Sequence, residues 1–274
     1  MTKDEKWLLD EKYGGQATAG YAADLERLAA GEPLAYIIGW QPFLDLKIYL
    51  DSRPLIPRPE TEWWTEELLG AVGTSARRES RSATAREEAI FQKENTPLSS
   101  SGLPAAPHSF LDLCAGSGAV GCAALAKLPD TEVYFGEIDP AHQATIEKNI
   151  RENNLDATRA TISIGDLFEP FDGMQFDIIA ANPPYVPTDR ILPESVADYE
   201  PSLALFAGTD GLDFVRRIAA GLKEHLKEDG VAWIEIDRGH AEASRDLFTA
   251  QGFAAEIRND QYEKPRIIVV SFPQ

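Results

Sequence analysis

Over the C-terminal two thirds of the chain, short apolar runs alternate with stretches of helical periodicity. The runs fall at residues 110–113, 133–135, 161–164, 176–180, 231–236, 254–257 and 267–272, and helical patterns fit between them at 120–128, 140–153, 211–226 and 240–251. This alternation predicts an α/β fold, a seven-stranded and mostly parallel sheet with both faces covered. The last two runs are separated by about nine residues, too few for a helical crossover, so the last strand is predicted to pair antiparallel at a sheet edge. Upstream, residues 22–30 read as a helix with Leu25 and Leu28 three apart. Residues 43–50 alternate apolar and polar (Phe43, Leu44, Leu46, Ile48, Leu50) as one arm of a β-hairpin, and 60–69 form a helix with Trp63, Trp64 and Leu68 on one face.

Residues 74–108 break the pattern. They are rich in Ser, Arg and Pro and, apart from Ile90 and Phe91, offer little to bury, which reads as a linker or inserted loop with a short helix around 83–93. The expected organisation is therefore a small N-terminal helical region plus β-hairpin over 1–57, a connecting helix over 58–73, the linker over 74–108, and the α/β domain over 109–274. No internal repeat is visible.

Composition narrows the chemistry. Of 274 residues, 45 are acidic and 26 basic, a formal charge of −19. Such a surface repels a phosphate backbone, so direct nucleic-acid binding is not expected. The longest weakly polar run, residues 114–125, contains three glycines and is far short of the roughly 20 residues that cross a bilayer. No membrane partner is expected. The first dozen residues carry acids among lysines and no apolar signal core, which points to the cytoplasm. Two cysteines and four scattered histidines provide neither a disulfide framework nor metal-ligand spacing, so no metal is expected.

Candidate chemistry clusters at the C-terminal tips of the predicted strands. The first ends Asp112-Leu113 and turns through Cys114, Ala115, Gly116, Ser117 and Gly118 into a helix. A glycine-rich turn there lets a ligand approach the backbone and the helix N-terminal N–H groups, although a tight strand-to-helix connection has the same composition. Asp139 lies 21 residues after Gly118 at the tip of the next strand, where a carboxylate can accept hydrogen bonds from both hydroxyls of a ribose; it is also a good cap for a helix starting at Pro140. Together, turn and acid point to a cofactor containing a nucleoside. The fourth run continues into Asn182-Pro183-Pro184-Tyr185. The prolines fix backbone angles and remove two N–H donors, so the Asn182 side chain and the Pro183 carbonyl can face one direction as paired acceptors for a planar –NH₂ group, with Tyr185 as a stacking face. The alternative is a proline-stiffened loop with an incidental Asn.

These motifs together resemble a class I S-adenosylmethionine-dependent methyltransferase that methylates nitrogen. Asn-Pro-Pro-Tyr does not by itself separate adenine methylases from protein-glutamine methylases. Gly31-Glu32-Pro33-Leu34-Ala35-Tyr36-Ile37-Ile38-Gly39, Leu55-Ile56-Pro57-Arg58-Pro59-Glu60-Thr61-Glu62 and the segment from Tyr199-Glu200-Pro201 to Gly211-Leu212 resemble the HemK/PrmC family, the release factor glutamine methyltransferases. The resemblance implies a Rossmann-like sheet, S-adenosylmethionine as methyl donor, and a peptide chain release factor as protein substrate, methylated on the glutamine of a GGQ-type loop. By resemblance, Cys114–Gly118 hold the cofactor, Asp139 its ribose, and Asp166-Leu167 its adenine, with a helix or turn cap as the other reading of Asp166. Asn182, Pro183 and Tyr185 act on the substrate amide and Asn182 also borders the cofactor, while Pro184, Arg58 and Glu200 shape the substrate pocket; Arg58 could equally be a structural ion-pair partner. The 1–57 region is expected to bind substrate and the protein to be a monomer.

The chain departs from the family pattern in three ways. Cys114 stands where the cofactor loop usually starts with glycine, so a positive φ would cost more there. The stretch before Gly31 has room for about two helices. The linker is longer than usual. The competing functions are a nucleic-acid adenine-N6 methyltransferase, which would need a basic groove and a way to extrude the base, and a catalytically silent methyltransferase-like binding module.

Overall fold

The structure, a computed structural model, describes residues 1–82 and 107–273. The short helix expected around 83–93 lies outside the described residues.

The N-terminal region opens with α1 (Lys3–Tyr13), α2 (Ala19–Ala29) and a short α3 (Leu34–Ile38). Thr2 and Glu5 form a reciprocal capping box on α1. Leu8, Tyr21, Ile37 and Ile38 are buried together between the three helices. The hairpin follows as β1 (Trp40–Phe43) and β2 (Leu46–Tyr49), paired antiparallel with Phe43 opposite Leu46. Residues 43–50 therefore span the turn and do not form one arm. Apolar alternation hides the turn because Leu44, at φ 51°, still packs against the core, and its N–H is taken by the Glu62 carboxylate at 2.5 Å.

Helix α4 (Pro59–Ser82) runs on past residue 73, into the segment whose composition reads as linker. At the far end of that segment, Thr131 Oγ1 donates to the Pro107 carbonyl, and Asp177 accepts the N–H groups of His108 and Ser109. Residues 107 and 108 thus belong to the folded domain. Unmet backbone donors recruited these partners, which composition does not report.

The main sheet contains β3 (Ser109–Leu113), β4 (Glu132–Glu137), β5 (Ala160–Ile164), β6 (Phe176–Ala181), β7 (Leu226–Glu235), β8 (Ala254–Asn259) and β9 (Pro265–Ser271), in the order β5-β4-β3-β6-β7-β9-β8. Strands β3 to β7 are parallel, and β9 runs antiparallel between β7 and the edge strand β8. The helices between the strands are α5 (Ala119–Lys127), α6 (Gln143–Glu152), a short α7 (Glu194–Ala197), α8 (Asp213–His225) and α9 (Ala241–Ala250). Central β6 is buried at every position, as a strand covered on both faces must be. Side-chain alternation sends Phe110, Phe135, Ile178 and Trp233 to one layer, with α4 and α5, and Leu111, Ile179 and Ile234 to the other, with α8 and α9.

Asn149 of α6, fully buried, fastens the hairpin to this domain. Its side chain accepts from the Tyr49 N–H and donates to the carbonyls of Tyr49 and Ser117, so one amide holds both β2 and the glycine turn. Sheet order also dictates the site: placement reverses between β3 and β6, and the loops leaving their carboxyl ends diverge and open a crevice.

Helix α5 meets β4 so closely that a Cβ on Gly121 would stand 2.2 Å from Phe135 Cε1. Gly121→Ala should therefore cost about 1–3 kcal/mol through overpacking, although Ala gains about 1 kcal/mol over Gly in helix propensity. Urea unfolding should show a lowered midpoint that adding Phe135→Leu partly restores.

Candidate active site

The cofactor side is built at the ends of β3 and β4. After Leu113 the chain turns through positive φ at Cys114 (64°), Gly116 (55°) and Gly118 (76°) before α5 begins. Cys114 thus carries the left-handed conformation that costs a non-glycine residue of order 1 kcal/mol. Its thiol is pushed up by burial and then by the nearby Glu137 and Asp112 carboxylates, so it stays protonated. The turn is tied down by Glu137 at the end of β4, which accepts the Gly116 N–H at 2.7 Å and the Asp139 N–H at 2.9 Å.

One cavity opens over this turn. Cys114, Gly116, Asp139, Asp166, Leu167, Asn182 and Pro184 line it, together with Glu137, His142 and Phe214. Ala115, Ser117 and Gly118 do not line it; they are buried or folded beneath the turn, where the Ser117 carbonyl accepts from Asn149. Asp139 caps the turn that starts at Pro140, accepting from the Ala141 N–H at 2.9 Å. Glu137 is the better buried carboxylate and stands at the strand end itself; it went unread in the sequence because the strand tip was placed at Asp139, two residues beyond the strand's end. Asp166 pairs with Arg217 of α8 at 2.7 Å, and Leu167 beside it has φ 51°.

A second cavity lies on the other side of Asn182, lined by Arg58, Pro183, Tyr185, Val186, Leu192 and Val196. Leu55, Asn182 and Ala204 line both cavities, so the Asn182 side chain stands in the wall between them. The loop after Tyr185 is stapled to the segment around residue 206, with the Val186 N–H donating to the Leu205 carbonyl and the Ala207 N–H to the Val186 carbonyl. Gly211, at φ 74°, passes so close beneath that a Cβ would sit 2.6 Å from the Tyr185 carbonyl oxygen. Arg58 and Glu200 are brought together at 2.5 Å. Glu200, fully buried, also accepts the Ile56 N–H, so this pair locks the chain entering α4 against the segment after the catalytic loop.

Behind Asn182 lies a hydrogen-bonded group in which, Tyr185 apart, motif reading assigned no residue a role in the site. Asn182 Nδ2 donates to Thr61 Oγ1 at 3.1 Å, and Thr61 donates to Glu235 Oε2 at 2.7 Å. Trp64 Nε1 donates to the same oxygen at 2.8 Å, and the Tyr185 hydroxyl donates to Oε1 at 3.1 Å. Burial raises the Glu235 carboxyl above its ordinary value, against the hydrogen bonds from Trp64, Thr61 and Tyr185 and the charge of Arg266.

Residues 96–196 match the model of the methyltransferase small domain. The release factor glutamine methyltransferase of Thermodesulfovibrio yellowstonii is 35% identical over 90% of this chain and 78% of its own. That of Geobacter sulfurreducens is 34% identical over 83% of this chain and 68% of its own. The chain belongs to the release factor glutamine methyltransferase family. The hMettl16 catalytic domain superposes with a TM-score of 0.56 at 16% identity, covering 99% of this chain and 88% of that one, a likeness of fold alone.

As a methyltransferase of this family, the enzyme uses S-adenosylmethionine as methyl donor, and the first cavity suits it. A strand-end carboxylate faces a cavity floored by Gly116 and Gly136, with Ile138, Leu167 and Phe214 as apolar walls for a flat base. Among the described residues no cluster could hold a metal, and no helix is long and apolar enough to cross a membrane.

Asp112 supports the same turn from below, accepting the Gly121 N–H at 2.8 Å in the first turn of α5. Burial, opposed by that bond and reinforced by Glu137, pushes its carboxyl up to about 8. The unfolded group titrates near about 4, so the folded state holds a proton the unfolded state lacks, and stability from this group falls as pH rises from about 4 to about 8. Asp112→Asn should remove that fall, and urea midpoints at pH 5 and pH 8 should differ less in the variant than in the parent.

Proposed function

We propose that this enzyme methylates the side-chain amide nitrogen, N5, of the glutamine in a GGQ-type loop of a peptide chain release factor, and so tunes translation termination in the cytoplasm. The observation that carries this reading is the position of Asn182 in the wall shared by two cavities, one suited to the methyl donor and one open to a side chain. The charge of −19 favours a protein over a nucleic acid for the same Asn-Pro-Pro-Tyr loop.

An amide nitrogen is a poor nucleophile because its lone pair is delocalised into the carbonyl. Accepting its two N–H bonds at Asn182 Oδ1 and the Pro183 carbonyl turns the lone pair toward the donor's methyl group and stabilises the positive charge that develops on nitrogen. S-adenosylmethionine supplies an electrophilic methyl on a sulfonium. Displacement forms the N–C bond as the S–C bond breaks, and the nitrogen then loses a proton that its charge has made acidic, so no base is needed before attack. Tyr185 stacks on the planar amide, while Arg58 and Glu200 hold the pocket mouth.

On the donor side, Glu137 takes the ribose hydroxyls, because its carboxylate lies at the strand end within the cavity; Asp139 serves chiefly as the cap. Asp166 and Leu167 border the adenine, and the turn from Cys114 to Gly118 carries the rest of the donor.

Incubating the enzyme with labelled S-adenosylmethionine and purified release factors, then mapping the product by mass spectrometry, should locate the methyl group on one glutamine; methylated adenine in added RNA or DNA would refute the reading. Asn182→Ala should abolish transfer while leaving S-adenosylmethionine affinity within about tenfold. Glu137→Ala should weaken cofactor binding by about 1.5–3 kcal/mol, the loss of a charge-assisted hydrogen bond, and by more than Asp139→Ala does in the same calorimetric titration.

A further inference from the structure

An asparagine side chain can face a substrate with its oxygen or, turned by 180° about its last bond, with its –NH₂. Only the first orientation accepts a hydrogen bond from a glutamine –NH₂. We infer that Thr61, Glu235 and Trp64 form a positioning relay whose task is to fix that choice at Asn182.

The relay has one polarity, and Trp64 determines it. An indole N–H is only a donor, so Glu235 Oε2, 2.8 Å from Trp64 Nε1, must be an acceptor whatever the charge on the carboxyl. A proton on Glu235 is favoured on Oε1, where the Tyr185 hydroxyl can receive it, because a carbonyl oxygen is a better acceptor than a hydroxyl oxygen for the two donors that converge on Oε2. Thr61 Oγ1 lies 2.7 Å from the same Oε2 and therefore spends its only proton there. What Thr61 then offers Asn182 is a lone pair, which accepts from Nδ2 at 3.1 Å and turns Oδ1 away, toward the substrate. Thr61, Trp64 and Glu235 are all at most 3% exposed, so water does not compete for these bonds. The groups come from three elements: α4 supplies Thr61 and Trp64, the end of β7 supplies Glu235, and the loop after β6 supplies Asn182 and Tyr185. The first turn of α4 thus acts on the catalytic loop without touching substrate.

The inference rests on the proposed glutamine-N5 reaction, and two readouts separate its failure from failure of that reaction. The first is turnover. Thr61→Val keeps shape but removes donor and acceptor. It should lower kcat by about tenfold or more, in line with the cost of a misoriented reacting group, with the S-adenosylmethionine Kd changed less than about threefold. Thr61→Ser should restore most of the loss. In Glu235→Gln the amide oxygen can stay beside Trp64 and Thr61 with its –NH₂ toward Tyr185, so kcat should fall much less than in Glu235→Leu. A Gln variant as damaged as the Leu variant would overturn the relay in favour of a direct effect of the carboxylate charge.

The second readout needs no substrate. Hydrogen exchange of the Asn182 side-chain –NH₂, assigned by NMR as the signal pair lost in Asn182→Asp, should be slow in the parent and in Thr61→Ser and faster in Thr61→Val. Equal exchange in all three would overturn the relay even if methyl transfer to the release factor is found. Slow exchange abolished by Thr61→Val would uphold the relay even if the methylated group proves different.

Discussion

Donors crowded at the carboxyl edge of the sheet have to be met without water, and buried carboxylates meet them. Asp112 on β3 takes the Gly121 N–H, and Glu137 on β4 takes those of Gly116 and Asp139. Glu235 on β7 takes Thr61, Trp64 and Tyr185. Glu200 takes the Ile56 N–H and Arg58. Each is at most 6% exposed. A buried carboxylate is costly unless hydrogen bonds surround it, and a buried N–H is costly without an acceptor; here each offsets part of the other, and the cost left over shows in the raised Asp112 and Glu235 carboxyls. The crevice keeps its shape because loops that would otherwise need solvent are tied to rigid strand ends.

The same economy explains how the N-terminal region serves the site. The hairpin is held by Asn149, which also holds the cofactor turn, and the segment from Leu55 to Thr61 supplies a wall of both cavities, the partner of Glu200 and the partner of Asn182. Helix α4 is thus more than a connector between two regions. Its first turn is part of the machinery, and the Trp63 and Trp64 that read as an apolar face divide their work: Trp63 packs on the core, while Trp64 is buried with its indole N–H directed at Glu235.

Much of the fold was legible in residues 110–272 because a doubly covered parallel sheet writes its strands as apolar runs and its helices as periodic stretches. The antiparallel end of the sheet followed from loop length alone. The catalytic loop was legible because two adjacent prolines after a strand are rare and chemically pointed. Two of the misreadings share a cause. The hairpin turn at Leu44 and the anchoring of residues 107–108 depend on partners distant in sequence: Glu62 for the turn, Thr131 and Asp177 for the anchor. Apolar content does not register them.

The sequence by itself determined the class of fold, the family, and part of the lining of the two cavities, since all three follow from local pattern and from motifs contiguous along the chain. Tertiary structure alone decided which carboxylate stands at the end of β4, that Arg58 and Glu200 neutralise one another, and that a threonine, a tryptophan and a glutamate from two elements converge behind Asn182. The physical reason is that hydrogen-bond polarity is a property of a closed group of donors and acceptors. No segment contains the group. Glu235 and Thr61 are 174 residues apart, and only the packing of α4 against β7 brings the second within 2.7 Å of the first.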